Sequence, residues 1–201
     1  MHLAELKEYF TGLHRGSHSG MKDSDINYGW SGTVQLKDLM KERIGICVSG
    51  GLDSKTVASR LLAEGLDVKC YSADLGQPDE ENIEDIRTKM ATTGAETLIV
   101  DLKQEMAEAC FLVLRSLATY DGGYWNTTGI ARAVTVRGLL NAMKADGCTV
   151  LSHGATGRGN DQVRFERYTN VLAPDMKVYA PWRDPGLLEQ FPGRREMVAY
   201  L

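Results

Sequence analysis

The chain has 201 residues, of which 43% are hydrophobic and 25% charged, as is typical of a soluble globular protein with one main domain. The formal net charge of −4 provides no global positive field to bind nucleic acid through its phosphates. No apolar run approaches the roughly 20 residues of a membrane span. The first ten residues contain Glu5, Lys7 and Glu8 where a signal peptide would be apolar. We therefore expect a cytoplasmic protein that binds neither membrane nor nucleic acid.

The first 42 residues differ in pattern from the rest of the chain. Apolar residues at helical spacing predict a short amphipathic helix over residues 3–13, and a Gly-, Ser- and Asp-rich stretch follows over residues 15–28. Residues 30–36 suit a short extended segment, and the next apolar residues suit a helical turn. We expect residues 1–42 to form an amino-terminal helix and a flexible connector outside the main domain.

From residue 43 onward, short apolar runs alternate with longer stretches at helical spacing. Because the predicted strands are apolar on both faces, they indicate a parallel sheet covered by helices on both sides. The strands are predicted at residues 44–48, 68–73, 97–100, 149–151 and 178–180. This pattern predicts an α/β domain over residues 43–201 with a mainly parallel five-stranded sheet. Ligands of such sheets bind at the carboxyl ends of the strands, near a topological switch point.

The strongest local signal is the hexapeptide Ser-Gly-Gly-Leu-Asp-Ser at residues 49–54, directly between a predicted strand and a predicted helix. Two glycines allow a tight turn whose backbone N–H groups point at a ligand, and the start of a helix adds further N–H donors for an anion. Ser49 and Ser54 add hydroxyl groups, while Asp53 suits either a magnesium ion or a helix cap. A simple Gly-Gly turn with a polar cap is the structural alternative.

A second glycine-rich loop follows the fourth predicted strand, at residues 154–159. Its glycines allow the backbone to approach a ligand closely. Asn160 offers both a donor and an acceptor, and Arg164 offers a fork suited to a carboxylate. The alternative is a surface turn stabilised by Asn160 and Asp161. The position of the loop after a strand favours a ligand site.

Taken in chain order, these motifs resemble those of known protein families. The loop at residues 49–54 resembles the pyrophosphate-binding loop of the N-type ATP pyrophosphatases, which cleave ATP to AMP and pyrophosphate. From about residue 43 to the carboxyl terminus, the chain resembles the nucleotide-binding half of argininosuccinate synthase. The segments that carry this second resemblance are residues 71–81, 124–135, 154–165, 180–183 and 193–195.

The resemblance implies an adenine nucleotide α-hydrolase-like fold with ATP and Mg²⁺ as cofactors. It also implies ATP-dependent ligation of citrulline and aspartate, with AMP and pyrophosphate released. The implied nucleotide-binding residues are Cys47, Ser49, Gly50, Gly51, Asp53, Ser54, Lys55, Ala73, Gly154, Thr156 and Asp161. The implied substrate-binding residues are Tyr124, Thr128, Arg132, Thr156, Asn160, Asp161 and Arg164. Asp53 and Asp161 are the predicted catalytic residues, and Asp53 is the predicted magnesium ligand.

Two departures from the family pattern keep alternatives open. The first is Lys55, which stands where the family loop usually has a second hydroxyl residue. The second is length, because members of the family are longer and have a second half that supplies further citrulline contacts and an oligomerisation tail. The chain is therefore expected to lack the synthetase domain. It then acts either as a ligase, alone or as half of a split enzyme, or as an ATP-binding module without turnover. The expected protein partner is a second copy or a complementary carboxyl-terminal half. A tRNA-modifying pyrophosphatase is disfavoured by the acidic charge balance.

Overall fold

The structure is a computed structural model that describes residues 34–77, 82–156 and 159–201. The helix predicted at residues 3–13 and the connector predicted at residues 15–28 lie outside the described residues. So do residues 78–81 and residues 157–158 of the second glycine-rich loop. The predicted helical turn is confirmed as a 3₁₀ turn over Leu36–Leu39. The domain boundary at residues 42/43 stays a prediction.

A five-stranded, fully parallel sheet forms the centre of the domain, which confirms the predicted fold class. In chain order its strands are β1 (Arg43–Cys47), β2 (Asp67–Asp74), β3 (Glu96–Asp101), β6 (Val150–His153) and β7 (Lys177–Tyr179). Their order across the sheet is β3-β2-β1-β6-β7. Because the chain first fills one side of β1 and later the other, the topological switch lies between β1 and β6.

The helices pack on the two faces of this sheet. Their bounds are α1 (Leu52–Ala63), α2 (Glu84–Ala91), α3 (Lys103–Arg115), α4 (Thr127–Ala145), α5 (Asp161–Leu172), α6 (Pro185–Gln190) and α7 (Arg194–Tyr200). One core joins α1, α2, α6 and α7 to strand residues such as Ile44 and Ile46. A second core joins α4 and α5 to strand residues of opposite orientation such as Cys47 and Leu151. This two-faced burial explains why the strands read as continuous apolar runs.

The structure departs from the predicted elements in two places. β6 continues two residues past the predicted end, because Ser152 and His153 still pair with β1. Both are fully buried although they are polar. A small antiparallel hairpin, β4 (Thr119–Tyr120) and β5 (Tyr124–Trp125), precedes α4 and was not predicted. Strands of two residues are too short to produce a periodic signal. None of the described helices combines the length and the apolar character that crossing a bilayer requires.

Candidate functional site

The two predicted ligand loops lie side by side at the carboxyl edge of the sheet. β1 and β6 are parallel neighbours, with the Cα of Cys47 opposite that of His153. A Cβ atom placed on Gly154 would lie 3.0 Å from the backbone nitrogen of Ser54 and 3.1 Å from its Cα. The loop after β6 therefore packs directly on the first turn of α1, at a distance that leaves little room for any side chain at position 154.

The loop between β1 and α1 presents its backbone toward this edge. Gly50 has a φ of +71°, which disfavours residues with a side chain. Val48 anchors the start of the loop, since its amide donates to the carbonyl of Tyr71 in β2 at 2.9 Å. Gly51 precedes α1 and has no side chain to cap it, and the Ser54 hydroxyl donates to the Gly51 carbonyl at 3.0 Å. The first N–H groups of α1 are thus left without a side-chain cap, as in anion-binding helix ends.

Other predicted residues of this loop differ in exposure. Ser49 is exposed, while Asp53 and Lys55 are half-buried in the first turns of α1. Cys47 is buried, and burial raises the pKa of its thiol to about 12. The thiol therefore stays protonated at neutral pH, so only the backbone of Cys47 is suited to contact a phosphate group.

A charge cluster joins α4 to the first turn of α5. Asp161 is the first residue of α5. Its carboxylate accepts hydrogen bonds from Nη2 and Nε of Arg132 at 2.8 and 3.3 Å. Arg164, one turn further along α5, donates to the same carboxylate at 3.1 Å. Three of the predicted substrate-binding residues are therefore in direct contact, although Arg132 is 29 residues from Asp161 in sequence.

The two arginines set the ionisation state of Asp161. Burial raises the pKa of the carboxyl group, but the hydrogen bonds and charge of Arg132, followed by those of Arg164, hold the pKa below its usual range. The carboxylate is consequently ionised at neutral pH and is a weak general base. Its chemistry suits accepting hydrogen bonds from a bound cationic or amide group.

A stacked pair of rings lies beneath this cluster. His153, the last residue of β6, stacks on Phe165 with ring centroids 4.9 Å apart, and the guanidinium carbon of Arg132 lies 5.2 Å from the Phe165 ring centre. Burial and the positive charge of Arg132 lower the pKa of His153 to about 4, so its ring is neutral at pH 7. Sequence reasoning did not assign Phe165 a role. Its spacing of four residues from Asp161, which places both on one face of α5, is the signal that points to it.

The carboxyl end of β2 holds the residue predicted to contact adenine. Ala73 is half-buried there, and the next residue, Asp74, accepts from the ammonium of Lys103 at 2.7 Å and from the amide of Gly76 at 3.0 Å. Lys103 also pairs with Asp101 at 3.1 Å, and Asp101 is opposite Asp74 in the sheet. These contacts connect the chain that follows Ala73 to the first residue of α3. Lys103 was not in the predicted set, although it closely follows β3 at the same edge.

The remaining predicted residues lie on β5, in the first turn of α4 and in the loop before α5. Tyr124 lies on β5 and is 55% exposed, and Thr128 is exposed in the first turn of α4. Thr128 and Arg132 share one face of α4 because they are four residues apart. Thr156 and Asn160 are exposed in the loop that leads to α5. The ligand roles of these side chains stay predictions.

Within residues 34–77, 82–156 and 159–201, no group of three or more His, Cys, Asp or Glu side chains is arranged to hold a metal ion. This arrangement is compatible with the predicted use of Mg²⁺. At nucleotide sites Mg²⁺ is usually held by one or two carboxylates together with phosphate oxygens and water. Asp53, in the first turn of α1 beside the uncapped N–H groups, fits that chemistry.

Comparison with known proteins identifies the family. Residues 43–201 match the model of the arginosuccinate synthase N-terminal HUP domain. Argininosuccinate synthase of Thermotoga petrophila is 39% identical over 163 residues, and that of Aedes aegypti is 38% identical over 162 residues. Each alignment covers 80% of this chain and 39% of the relative, so the chain spans about two fifths of the length of these curated proteins.

A solved structure from Methanocaldococcus jannaschii, described as a predicted subunit of tRNA methyltransferase, aligns with a TM-score of 0.46 and 14% identity. The alignment covers 79% of this chain and 73% of that chain. The family match extends through the whole sheet and both glycine-rich loops. The chain belongs to the argininosuccinate synthase family and carries that family's amino-terminal HUP domain.

Proposed function

We propose that the domain of residues 43–201 binds ATP with Mg²⁺ and takes part in the ATP-dependent ligation of citrulline and aspartate. The contact of Gly154 with Ser54 is the observation that carries this proposal. The first turn of α1, which follows the loop suited to phosphates, thereby packs on the loop that leads to Asp161 and Arg164. A nucleotide and an amino acid bound to the two loops would therefore meet at the same edge of the sheet.

ATP is assigned to the β1–α1 loop and its surroundings. The backbone of residues 47–54 and the Ser49 hydroxyl would bind the phosphate chain, and Lys55 would add a positive charge. The Ser54 hydroxyl would join them by turning away from the Gly51 carbonyl that it contacts in the structure. Asp53 would hold Mg²⁺, which neutralises phosphate charge when bound. Ala73 would lie beside the adenine, with Gly154 and Thr156 near the nucleotide.

The amino-acid substrates are assigned to α4, α5 and the loop before α5. Tyr124, Asn160 and Arg164 would bind citrulline, with Thr128 and Arg132 in the substrate-facing segment of α4. Thr156, Asn160 and Asp161 would bind aspartate. An arginine fork suits a carboxylate, and an ionised carboxylate such as that of Asp161 suits an amino group.

The proposed reaction has two displacement steps. The ureido oxygen of citrulline forms a bond to the α-phosphorus of ATP, and the bond from that phosphorus to the bridging oxygen breaks, so that its electron pair leaves on pyrophosphate. The amino group of aspartate then attacks the ureido carbon and displaces AMP. The chain would contribute alignment of the reactants and neutralisation of charge, without a side-chain nucleophile.

An assay of AMP and pyrophosphate formation tests this proposal. We expect both products to form only when ATP, citrulline and aspartate are all present. The assay is run on the chain alone and again with a separately produced carboxyl-terminal half of a curated relative. Product formation only when the carboxyl-terminal half is present identifies a split ligase.

Calorimetry separates a ligase from an ATP-binding module. A module takes up ATP with Mg²⁺ but forms no AMP under either condition, even at high citrulline and aspartate concentrations. Absence of ATP binding would contradict both functions. Release of pyrophosphate with a different pair of amino acids would overturn the substrate assignment alone.

A further inference from the structure

Helix α2 lies against the phosphate loop at Gly50. A Cβ atom placed on Gly50 would lie 3.3 Å from the Cδ of Lys89 and 3.6 Å from the Cα of Ile86. Ile86 is buried in the core beneath the loop, and Lys89 is exposed one turn later on the same face of α2. The ammonium of Lys89 is two bonds beyond Cδ, so a rotation of this flexible side chain can bring the charge to the Gly50 backbone.

Lys89 differs from the neighbouring cation of the same helix. Arg87 donates hydrogen bonds to Glu84 at 2.8 Å and to the carbonyl of Thr97 at 2.9 Å, so its guanidinium is already engaged within the fold. Lys89 forms no ion pair among the residues that the structure describes. A lysine ammonium is a compact point charge on a flexible stem and suits phosphate oxygens.

The position of Lys89 across the sheet indicates which phosphates it would meet. Gly154 and Asp161 follow β6, on one side of β1, whereas α2 leads into β3, on the other side. In an in-line displacement at phosphorus, the attacking and leaving oxygens lie on opposite sides. If citrulline attacks from the β6 side, the leaving pyrophosphate is directed toward α2.

We propose that Lys89 is a binding residue for the β- and γ-phosphates of ATP and for the pyrophosphate product. This inference rests on the proposed function, because it needs a phosphate chain in the β1–α1 loop. Lys89 would hold the charge that develops on the leaving group, together with the backbone N–H groups beside Gly50. AMP has neither of these phosphates and would not contact Lys89.

Calorimetric titrations with inorganic pyrophosphate and with AMP, each with Mg²⁺, test this assignment. Lys89→Ala keeps an exposed helical position with a good helix former. We expect it to weaken pyrophosphate binding about tenfold at low salt, the lower end of the range for hydrogen bonds to charged groups. The loss should shrink as salt is added. AMP affinity should not change, and Lys89→Arg should keep most of the pyrophosphate affinity.

Lys41→Ala is the matched control, because Lys41 is an exposed lysine just before the amino end of β1, at the opposite edge of the sheet. It should leave pyrophosphate affinity unchanged. Unaltered pyrophosphate binding in Lys89→Ala, or an equal loss of AMP binding, would overturn the assignment of Lys89 while leaving the proposed function intact. If the unsubstituted chain binds neither ATP nor pyrophosphate, the proposed function fails and this inference fails with it.

Discussion

The guanidinium of Arg132 and the carboxylate of Asp161 face each other through two contacts, of 2.8 and 3.3 Å, that connect the second turn of α4 to the start of α5. The paired geometry orients the carboxylate as well as neutralising it. Arg132 also lies over the Phe165 ring, so its own position is restricted from a second side. We therefore expect Arg132 to act mainly by positioning Asp161.

Arg132→Met should raise the pKa of Asp161 toward its usual value, because the largest contribution that lowers this pKa comes from Arg132. Aspartate affinity should fall about tenfold, while ATP affinity should change much less. Carbon NMR of labelled aspartate residues measures the pKa, and calorimetry measures both affinities. Arg115→Met, on α3, provides a control that removes the same charge elsewhere. An unchanged pKa of Asp161 would contradict the positioning role.

Gly154→Ala should weaken ATP binding and lower the free energy of unfolding by about 1–3 kcal/mol, the usual cost of overpacking. The added Cβ would lie 3.0 Å from the Ser54 backbone nitrogen, and a backbone atom at a helix start cannot move away as a flexible side chain can. Gly159→Ala in the same loop is the matched control, since among the described residues no atom outside its chain neighbours lies within 4 Å of its added Cβ. Denaturant unfolding and nucleotide titration compare the two variants. Equal effects would show that loop composition, and not the contact with Ser54, is responsible.

His153 should make the domain less stable as the pH falls from about 7 to 4. The unfolded chain binds a proton at this residue near the ordinary histidine pKa of 6.5, whereas the folded chain does so only near a pKa of about 4. Between these values the unfolded state binds more protons, so the free energy of unfolding decreases as pH falls, by about 3 kcal/mol over the whole window.

Replacement of this imidazole tests its contribution to pH dependence. His153→Phe keeps an aromatic ring against Phe165 and removes two buried ring nitrogens that have no hydrogen-bond partner among the described residues. Urea unfolding at several pH values should therefore show that the free energy of unfolding falls less for the variant than for the unsubstituted protein between pH 7 and 4. An equal fall in both proteins would exclude His153 as the source of the pH dependence.

Asp53→Ala and Arg164→Ala should separate the two halves of the site. Asp53→Ala should weaken ATP binding in the presence of Mg²⁺ and leave the amino-acid pocket formed. Arg164→Ala should weaken amino-acid binding by about 1.5–3 kcal/mol, roughly ten- to a hundredfold, and spare ATP. Calorimetry with each ligand and circular dichroism of each variant provide the comparison. Loss of both ligands in both variants would indicate unfolding instead of separate roles.

The fold could be predicted from hydrophobic periodicity alone. All five strands of the sheet occur within two residues of their predicted bounds, because a strand buried on both faces leaves a continuous apolar run. The last two residues of β6 were not predicted, because they are polar and so interrupt the apolar run. Ser152 and His153 are buried by what packs around them, and their residue types alone indicate exposure.

The site was predictable only in part. The two glycine-rich loops follow strands, and a parallel sheet brings the carboxyl ends of its strands to one edge whatever the details of packing. The contact of Gly154 with Ser54 agrees with that expectation. The adjacency of β1 and β6 depends on strand order, which a single sequence does not encode locally.

The sequence by itself determined the family, the α/β class and the two glycine-rich loops that follow strands, because these depend on residue order and on the alternation of strands and helices. Only the tertiary structure decided that Arg132 pairs with Asp161, that Phe165 contacts both Arg132 and His153, and that the Lys89 side chain packs against Gly50. Each of these contacts joins residues from different elements or loops. Their distances depend on how the helices pack on the sheet, and local sequence patterns do not specify that packing.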